Sequence, residues 1–199
     1  MATLVPKDQN FFQKRRRVEI AKEVLVELIH STIIYKTLSI ECNPNPKILT
    51  NVSCRLKPIN WQKSVCIWDS DILQPLKNVS VNFQLLKMNG ANKYLPFLIN
   101  TTLNVCDLIG KRSSSAYGRI IKSILKEMSN VDHSCPYTGH LSLYNLYVDE
   151  RFIPFDPPIG RYKVILRFRE GYPYVDIGTT VLYLEAMEKR ERRGKVTAN

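Results

Sequence analysis

Apolar and polar positions alternate along most of the chain in short segments that turns separate. The clearest segment is Val79 to Leu85, in which apolar residues alternate with Ser80, Asn82 and Gln84. A period of two residues is typical of a β-strand with one buried face and one solvated face. Similar segments predict further strands at residues 31–41, 52–59, 95–103, 140–149, 162–169 and 179–187. The first two of these are predicted to pair as a hairpin across a turn rich in Asn and Pro.

One segment follows the helical period instead. Between Ser113 and Met128, apolar residues recur every three or four positions, with Arg119, Lys122 and Lys126 on the other side. This pattern predicts one helix inserted among the strands. About seven strands and a single helix predict a mainly β protein built as a β-sandwich.

Length and composition predict a single domain with charged ends. The chain has 199 residues, of which 44% are hydrophobic, enough for one sizeable core. We assign residues 35–188 to the β-sandwich and residues 189–199 to a basic tail. Residues 1–34 are an N-terminal extension, either an amphipathic helix of the native protein or the product of a misassigned start. Charged residues interrupt its apolar stretch, so it is a poor secretory signal and too polar for a membrane span.

The formal net charge of +11 raises the question of nucleic-acid binding. The basic residues are scattered, however, and the tightest runs, Lys14 to Arg17 and Lys189 to Lys195, lie near the two ends. No nucleic-acid-binding motif accompanies them. We therefore expect no nucleic acid among the partners of this protein.

Cysteines and glycosylation sequons favour an oxidising compartment. The five cysteines show no CxxC spacing, which disfavours a zinc site and a thioredoxin-type redox pair. Sequons at Asn51, Asn78 and Asn100 would accept N-linked glycans in a secreted protein. Because the number of cysteines is odd, at least one of them must stand apart from any set of intramolecular pairs.

Candidate catalytic groups do not form a convincing set. The segment Asp132 to Cys135 gathers an acid, a histidine and a thiol. Adjacency in sequence is not catalytic geometry, because the fold normally brings a catalytic histidine to its thiol from elsewhere in the chain. Asp69 and Asp71 fall in a predicted loop, where solvation explains them. We expect no catalytic residues and no enzymatic activity.

A bound metal or cofactor is equally unsupported. A metal site would have to combine Cys106, His133, Cys135 and His140, and their irregular spacing matches no known set of ligands. No glycine-rich phosphate loop occurs. We therefore expect neither a metal ion nor a cofactor.

Five segments in a fixed order give the chain a family resemblance. They are the Cys42 to Cys54 region ending in CRLKPIN, then YLPFLIN at 94–100, Cys106-Asp107, SNVDHSCPY at 129–137 and IPFDPPIGRYKV at 153–164. Together they resemble an insect family of secreted proteins classified as DUF1091, over about residues 35–187. That family is similar to the chemosensory CheB proteins and to the lipid-recognition superfamily that includes the ganglioside activator. Two positions depart from the family pattern, Trp61 and Asn104.

The resemblance implies an immunoglobulin-like two-sheet β-sandwich of the lipid-recognition type, which holds an apolar ligand between its sheets and has no catalytic residues. It also implies secretion, a chemosensory or carrier role, and disulfides that join Cys106 to Cys135 and Cys42 to Cys54. Cys66 lies outside this framework. A free thiol, an intermolecular bridge and a buried small residue all remain open for it.

The predicted ligand is a lipid or another hydrophobic small molecule. The apolar faces of the predicted strands supply the candidate lining residues, which are Val81, Phe83, Leu85, Leu95, Phe97, Val164, Leu166 and Phe168. The alternative is an extracellular module with a closed core, which would act through its surface on a receptor or another protein. A cavity of about 300 Å³ or more between the sheets would favour the first of these two functions.

Overall fold

A computed structural model describes residues 33–110, 116–131, 133–149, 153 and 157–189 of the chain. Residues Ile34–Met187 form one compact unit, which the following paragraphs describe. The other unit, Met1–Ile33 with Glu188–Asn199, lies almost entirely outside the described residues. The predicted N-terminal helix and nearly all of the basic tail therefore lie outside them as well.

In the described part of the chain, eight strands and two helices follow one another. The strands are β1 (Ile33–Pro44), β2 (Leu49–Pro58), β3 (Ser64–Leu76), β4 (Val79–Met88), β5 (Tyr94–Asn104), β6 (Tyr137–Leu146), β7 (Gly160–Glu170) and β8 (Val175–Glu188). The helices are α1 (Val105–Gly110) and α2 (Ala116–Met128), which lie between β5 and β6. The predicted mainly β fold with two sheets is confirmed.

The strands form two antiparallel sheets. One has five strands in the order β1-β8-β7-β4-β5, and the other has three in the order β2-β3-β6. The pairing of β4 with β7 is regular from Val79 to Lys87, so every second residue of β4 faces the same way along its length. Residues of both sheets and both helices pack into one hydrophobic cluster, which makes the arrangement a β-sandwich.

The hydrophobic cluster lies at the end of the sandwich where β4 begins. Its buried members are Ile48, Leu49, Leu76, Val79, Leu108, Ile109, Val131, Tyr137 and Ile177. Helix α2 packs against this cluster through Ile121 and Leu125, which follow the helical period seen in the sequence. The segment therefore buries its apolar side and leaves Lys126 exposed on the other.

Two disulfides fasten this arrangement. Cys42 of β1 is bonded to Cys54 of β2, and Cys106 of α1 is bonded to Cys135, which comes just before β6. Both predicted pairs are confirmed. The first bond joins the two sheets, and the second fastens the helical connection to the start of β6.

The predicted β1–β2 hairpin is wrong, because the two strands belong to different sheets. Between them, Asn45 attaches to β8: its backbone N–H donates to Ile177 O at 2.9 Å, and its side chain donates to Asp176 O at 2.7 Å. The turn therefore carries the chain from one sheet to the other. The local sequence does not show which strand pairs with β1, because strand pairing is set by tertiary packing.

Strand β3 was not predicted from the sequence, because Asp69 and Asp71 were expected to lie in a loop. Both aspartates lie in this strand, on the face that points away from the other sheet. Asp is depleted in strands, so two of them close together conceal the period-two pattern of Trp68, Ser70 and Ile72. The alternation is present, but its polar half consists of residues that are more common in loops.

Candidate ligand-binding site between the sheets

The eight predicted lining residues share one face of the five-stranded sheet. In the β4–β7 register, Val81 pairs with Phe168, Phe83 with Leu166, and Leu85 with Val164. Directly paired residues of antiparallel strands point to the same side of a sheet. On the edge strand β5, Leu95 pairs with Lys87. Phe97 lies where the β4–β5 register is irregular, and its ring is placed on this face by its distance of 5.8 Å from the ring of Tyr162, which also pairs with Lys87. Phe168 contacts the buried cluster that includes the three-stranded sheet, so this shared face is the inner one.

Burial along this inner face is uneven. Leu85 and Val164 are buried, with 8% and 5% of their surfaces exposed. Val81, Phe83, Leu166, Phe168 and Phe97 are only partly buried, although they face the interior of a sandwich. On the edge strand, Leu95 is 50% exposed. Accessible apolar surface therefore runs along the inner face and increases towards β5.

The opposite wall is the inner face of the three-stranded sheet. Trp68, Ser70 and Ile72 of β3 alternate with the outward aspartates, and Ser70 pairs with Leu141 of β6. Trp68, Ile72 and Leu141 all contact the hydrophobic cluster. Most of this wall is apolar, but it includes Ser70, whose hydroxyl is fully buried and has no hydrogen-bond partner among the residues that the structure describes.

Three residues outside the predicted set of lining residues also belong to the inner face. Tyr162 pairs with Lys87, and Leu182 and Leu184 of β8 extend the face beside Val164 and Tyr162. Tyr162 is 3% exposed, its ring lies 5.8 Å from that of Phe97, and its hydroxyl donates a hydrogen bond to Pro158 O. Burial raises its pKa. Its place in the alternation of β7 was visible in the sequence, whereas the contact with Phe97 depends on how the strands pair.

The cysteine and histidines that suggested chemistry have structural roles. Cys135 is oxidised in the disulfide with Cys106, so neither sulfur is a thiolate available for nucleophilic attack or for metal binding. The ring of His133 lies 5.2 Å from that of Tyr137, and Asp132 lies outside the described residues. Among the residues that the structure describes, no group of three or more His, Cys, Asp or Glu side chains is arranged to hold a metal ion.

His140 belongs to a polar cluster on the outer face of the three-stranded sheet. Its Nδ1 lies 2.9 Å from Asp71 Oδ1, and its Nε2 lies 3.6 Å from Asp69 Oδ1. Asn51 donates a hydrogen bond of 2.7 Å to the other oxygen of Asp71. The hydrogen bonds from Asn51 and His140 hold the pKa of Asp71 below its ordinary value. This cluster faces away from the inner apolar surface.

The three sequon asparagines, Asn51, Asn78 and Asn100, are all exposed. Each already takes part in a side-chain hydrogen bond, with Asp71, Asn104 and Asn82 respectively. Glycosylation of the three asparagines stays a prediction, with the acceptor side chains at the surface.

Cys66 is a buried free thiol on the inner side of β3, and burial raises its pKa to about 11 despite a hydrogen bond with Thr37.

The fold and this face define a class: a disulfide-linked, two-sheet β-sandwich with a partly accessible apolar inner face. Residues 81–164 match the family model described as protein of unknown function (DUF1091), and the predicted resemblance to that family is confirmed over this range. The match includes six of the eight candidate lining residues. No curated protein matches the chain. The similarity to CheB proteins and to the lipid-recognition superfamily stays a prediction.

None of the helices in the described residues is long and apolar enough to cross a membrane.

Proposed function

We propose that this protein binds a lipid or another hydrophobic small molecule between its two sheets, without catalysing a reaction. The observation that supports the proposal is the partial exposure of Phe83 and Leu166, two paired residues in the middle of the inner face. A sandwich whose sheets close tightly buries such residues fully. Apolar side chains that face another sheet and still retain accessible surface leave room for an apolar guest.

The binding free energy would come from burial of apolar surface. Removing such surface from water is worth about 25 cal/mol per Å² before the costs of association. The aromatic rings of Phe83, Phe97 and Phe168 offer large contact areas with little side-chain entropy to lose. Access from the β5 side fits the exposure of Leu95, because an edge strand has no neighbour on its far side.

The biological setting that we propose is extracellular, with a carrier or chemosensory role. Two disulfides are compatible with an oxidising compartment, since such bonds are rare where thiols are kept reduced. Exposed sequon asparagines fit glycosylation in the same compartment. The non-enzymatic part of the proposal is supported by the oxidised state of Cys135, which removes the one candidate nucleophile that the sequence suggested.

Extraction of the purified, oxidised protein followed by lipid mass spectrometry tests the proposal directly. We expect a bound apolar molecule in preparations made from a lipid-containing host, and displacement of a fluorescent apolar probe by added lipid. Preparations that are consistently empty and do not bind the probe would contradict the proposal. They would favour the alternative, an interaction module with a closed core.

A pair of matched variants locates the site. Leu166→Trp enlarges an inner-face side chain, whereas Ile165→Trp makes a comparable change one residue away, on the outer face. We expect Leu166→Trp to weaken probe binding at least about tenfold by filling the space between the sheets, and Ile165→Trp to bind as the unaltered protein does. Protection of Cys66 from alkylation reports whether each variant is folded. Equal effects of the two substitutions would place binding elsewhere.

A further inference from the structure

The inner face of β4 is apolar from Val79 to Leu85 and then carries a lysine. Lys87 continues the same alternation, so it points to the side that holds the candidate lining residues. Its partners confirm that direction, because it pairs with Leu95 on one side and with Tyr162 on the other. A cation therefore stands at one end of an otherwise apolar surface.

Two aromatic rings lie near this cation. Lys87 Nζ lies 5.6 Å from the ring centre of Phe97 and 5.8 Å from that of Tyr162. Its Cε would lie 3.6 Å from a Cβ atom placed on Gly160, so the lysine stem passes over the glycine backbone. These contacts keep the aliphatic part of the side chain against the inner face and leave the ammonium group near the two rings.

No acidic partner neutralises Lys87 in the described part of the chain. Asp69 and Asp71 lie beside His140, and Glu185 pairs with Arg161, so none of these carboxylates contacts Lys87. An ammonium group carries three hydrogen-bond donors, and a ring face satisfies its charge only weakly. The donors of Lys87 are therefore available to an anion that approaches from the inner face.

We propose that the ligand is an amphiphile with a single anionic headgroup, a carboxylate or a phosphate, which pairs with Lys87. Its tail would lie along Leu85 and Phe83, towards the middle of the inner face. This inference rests on the proposed function, since it names the chemical class of the molecule bound between the sheets. A charge-assisted hydrogen bond at the end of an apolar surface would favour such a ligand over its neutral analogue and fix its orientation.

The chain provides a matched control on the opposite face. Lys163 also lies near two aromatic rings, with its Nζ 5.2 Å from the ring centre of Tyr183 and 6.0 Å from that of Tyr94. It pairs with Leu86 and Tyr183, which face away from the sheet interior. Each of the two lysines thus lies near two aromatic rings, and of the two only Lys87 is on the inner face.

The test measures the affinities of three ligands with the same chain length: a fatty acid, a fatty alcohol and a lysophospholipid with a phosphate headgroup. They are compared in the unaltered protein and in Lys87→Met, Lys87→Arg and Lys163→Met. We expect Lys87→Met to weaken binding of the fatty acid, the lysophospholipid or both by about 10- to 100-fold, the effect of one charge-assisted hydrogen bond. Binding of the alcohol should stay unchanged, Lys87→Arg should retain most of the affinity for the anion, and Lys163→Met should have no effect.

The outcomes separate this inference from the proposed function. Equal binding of acid, phosphate and alcohol by the unaltered protein, or equal losses in Lys87→Met and Lys163→Met, would overturn the anionic headgroup and leave the apolar site standing. Failure of all three ligands to bind would overturn the proposed function, and this inference with it. A loss confined to the carboxylate or to the phosphate would identify which anion the site accepts.

Discussion

Cys42 and Cys54 are bonded across the sandwich, from β1 of the five-stranded sheet to β2 of the three-stranded sheet. The bond closes a separation of only 12 residues, yet it connects strands that do not pair with each other. Cys106 and Cys135 close a separation of 29 residues that contains both helices. The two bonds therefore restrict different parts of the fold.

Removing either disulfide should destabilise the protein by an amount that follows its loop length. Loop entropy predicts a loss of about 2.8 kcal/mol for Cys42→Ser with Cys54→Ser and about 3.6 kcal/mol for Cys106→Ser with Cys135→Ser. Urea unfolding monitored by tryptophan fluorescence gives both free energies. Because only the first bond joins the two sheets, we also expect its removal to reduce ligand affinity more than removal of the second. The reverse order of affinities would contradict a site between the sheets.

Cys66 should be unreactive in the folded protein. It is 3% exposed, and a pKa of about 11 keeps the thiol protonated at pH 8. Under non-reducing conditions we expect no alkylation of the native protein and one alkylated cysteine after unfolding in denaturant, counted by intact mass. Because burial raises its pKa from 9.0, the free energy of unfolding should not depend on this thiol below about pH 9 and should fall as the pH rises towards 11. Two or more labelled cysteines in denaturant would contradict the disulfide pairing.

Ser70 should be replaceable by alanine at no cost to stability. Its hydroxyl is fully buried and has no hydrogen-bond partner in the described residues, so Ser70→Ala removes an unpaired polar group. We expect the free energy of unfolding to stay unchanged or to rise by up to about 1 kcal/mol. Ser129 is the matched control: it is also buried, but it donates to Leu125 O at 2.6 Å and accepts from the Val131 N–H at 3.1 Å. Ser129→Ala should cost about 1 to 2 kcal/mol in the same urea measurement.

Asp71 should stay ionised to a lower pH than an ordinary aspartate. Hydrogen bonds from Asn51 and His140 lower its pKa, so Asn51→Ala should raise the pKa towards 3.8. The stabilisation that this lowered pKa gives the folded state is present above the pKa of Asp71 in the unfolded chain. It is lost as the pH falls through the pKa of Asp71 in the folded protein. Carboxyl NMR titration measures the shift. Asn89→Ala, which changes a turn asparagine between β4 and β5, should leave the titration of Asp71 as it is. An unchanged pKa in Asn51→Ala would show that this hydrogen bond is not formed in solution.

The strand faces of β4 and β7 were predictable from sequence because their alternation is regular and their polar residues suit a solvated face. Phe83 and Leu166 could be assigned to one side of their strands without knowing that they are partners. In β3 the same alternation was concealed by Asp69 and Asp71, whose preference for loops outweighed the pattern of their neighbours. A regular alternation with suitable polar residues therefore made β4 and β7 predictable, and the loop preference of aspartate caused β3 to be missed.

The candidate site was predictable only as a set of apolar faces. Lys87 was not singled out, although it stands two residues after Leu85 in the same alternation. Its significance depends on Leu95 and Tyr162 pairing with it from two other strands, and on the ring of Phe97 lying beside that of Tyr162. Those contacts join residues far apart in the chain.

The sequence by itself determined which side of most strands is buried, because a period of two residues is a local property of an extended backbone. The family resemblance added the disulfide pairs. Only the tertiary structure decided that β1 lies beside β8 and that β2 lies in the other sheet, because pairing between distant strands depends on how the whole core packs. The same packing decides that a lysine faces inward at the end of an apolar surface.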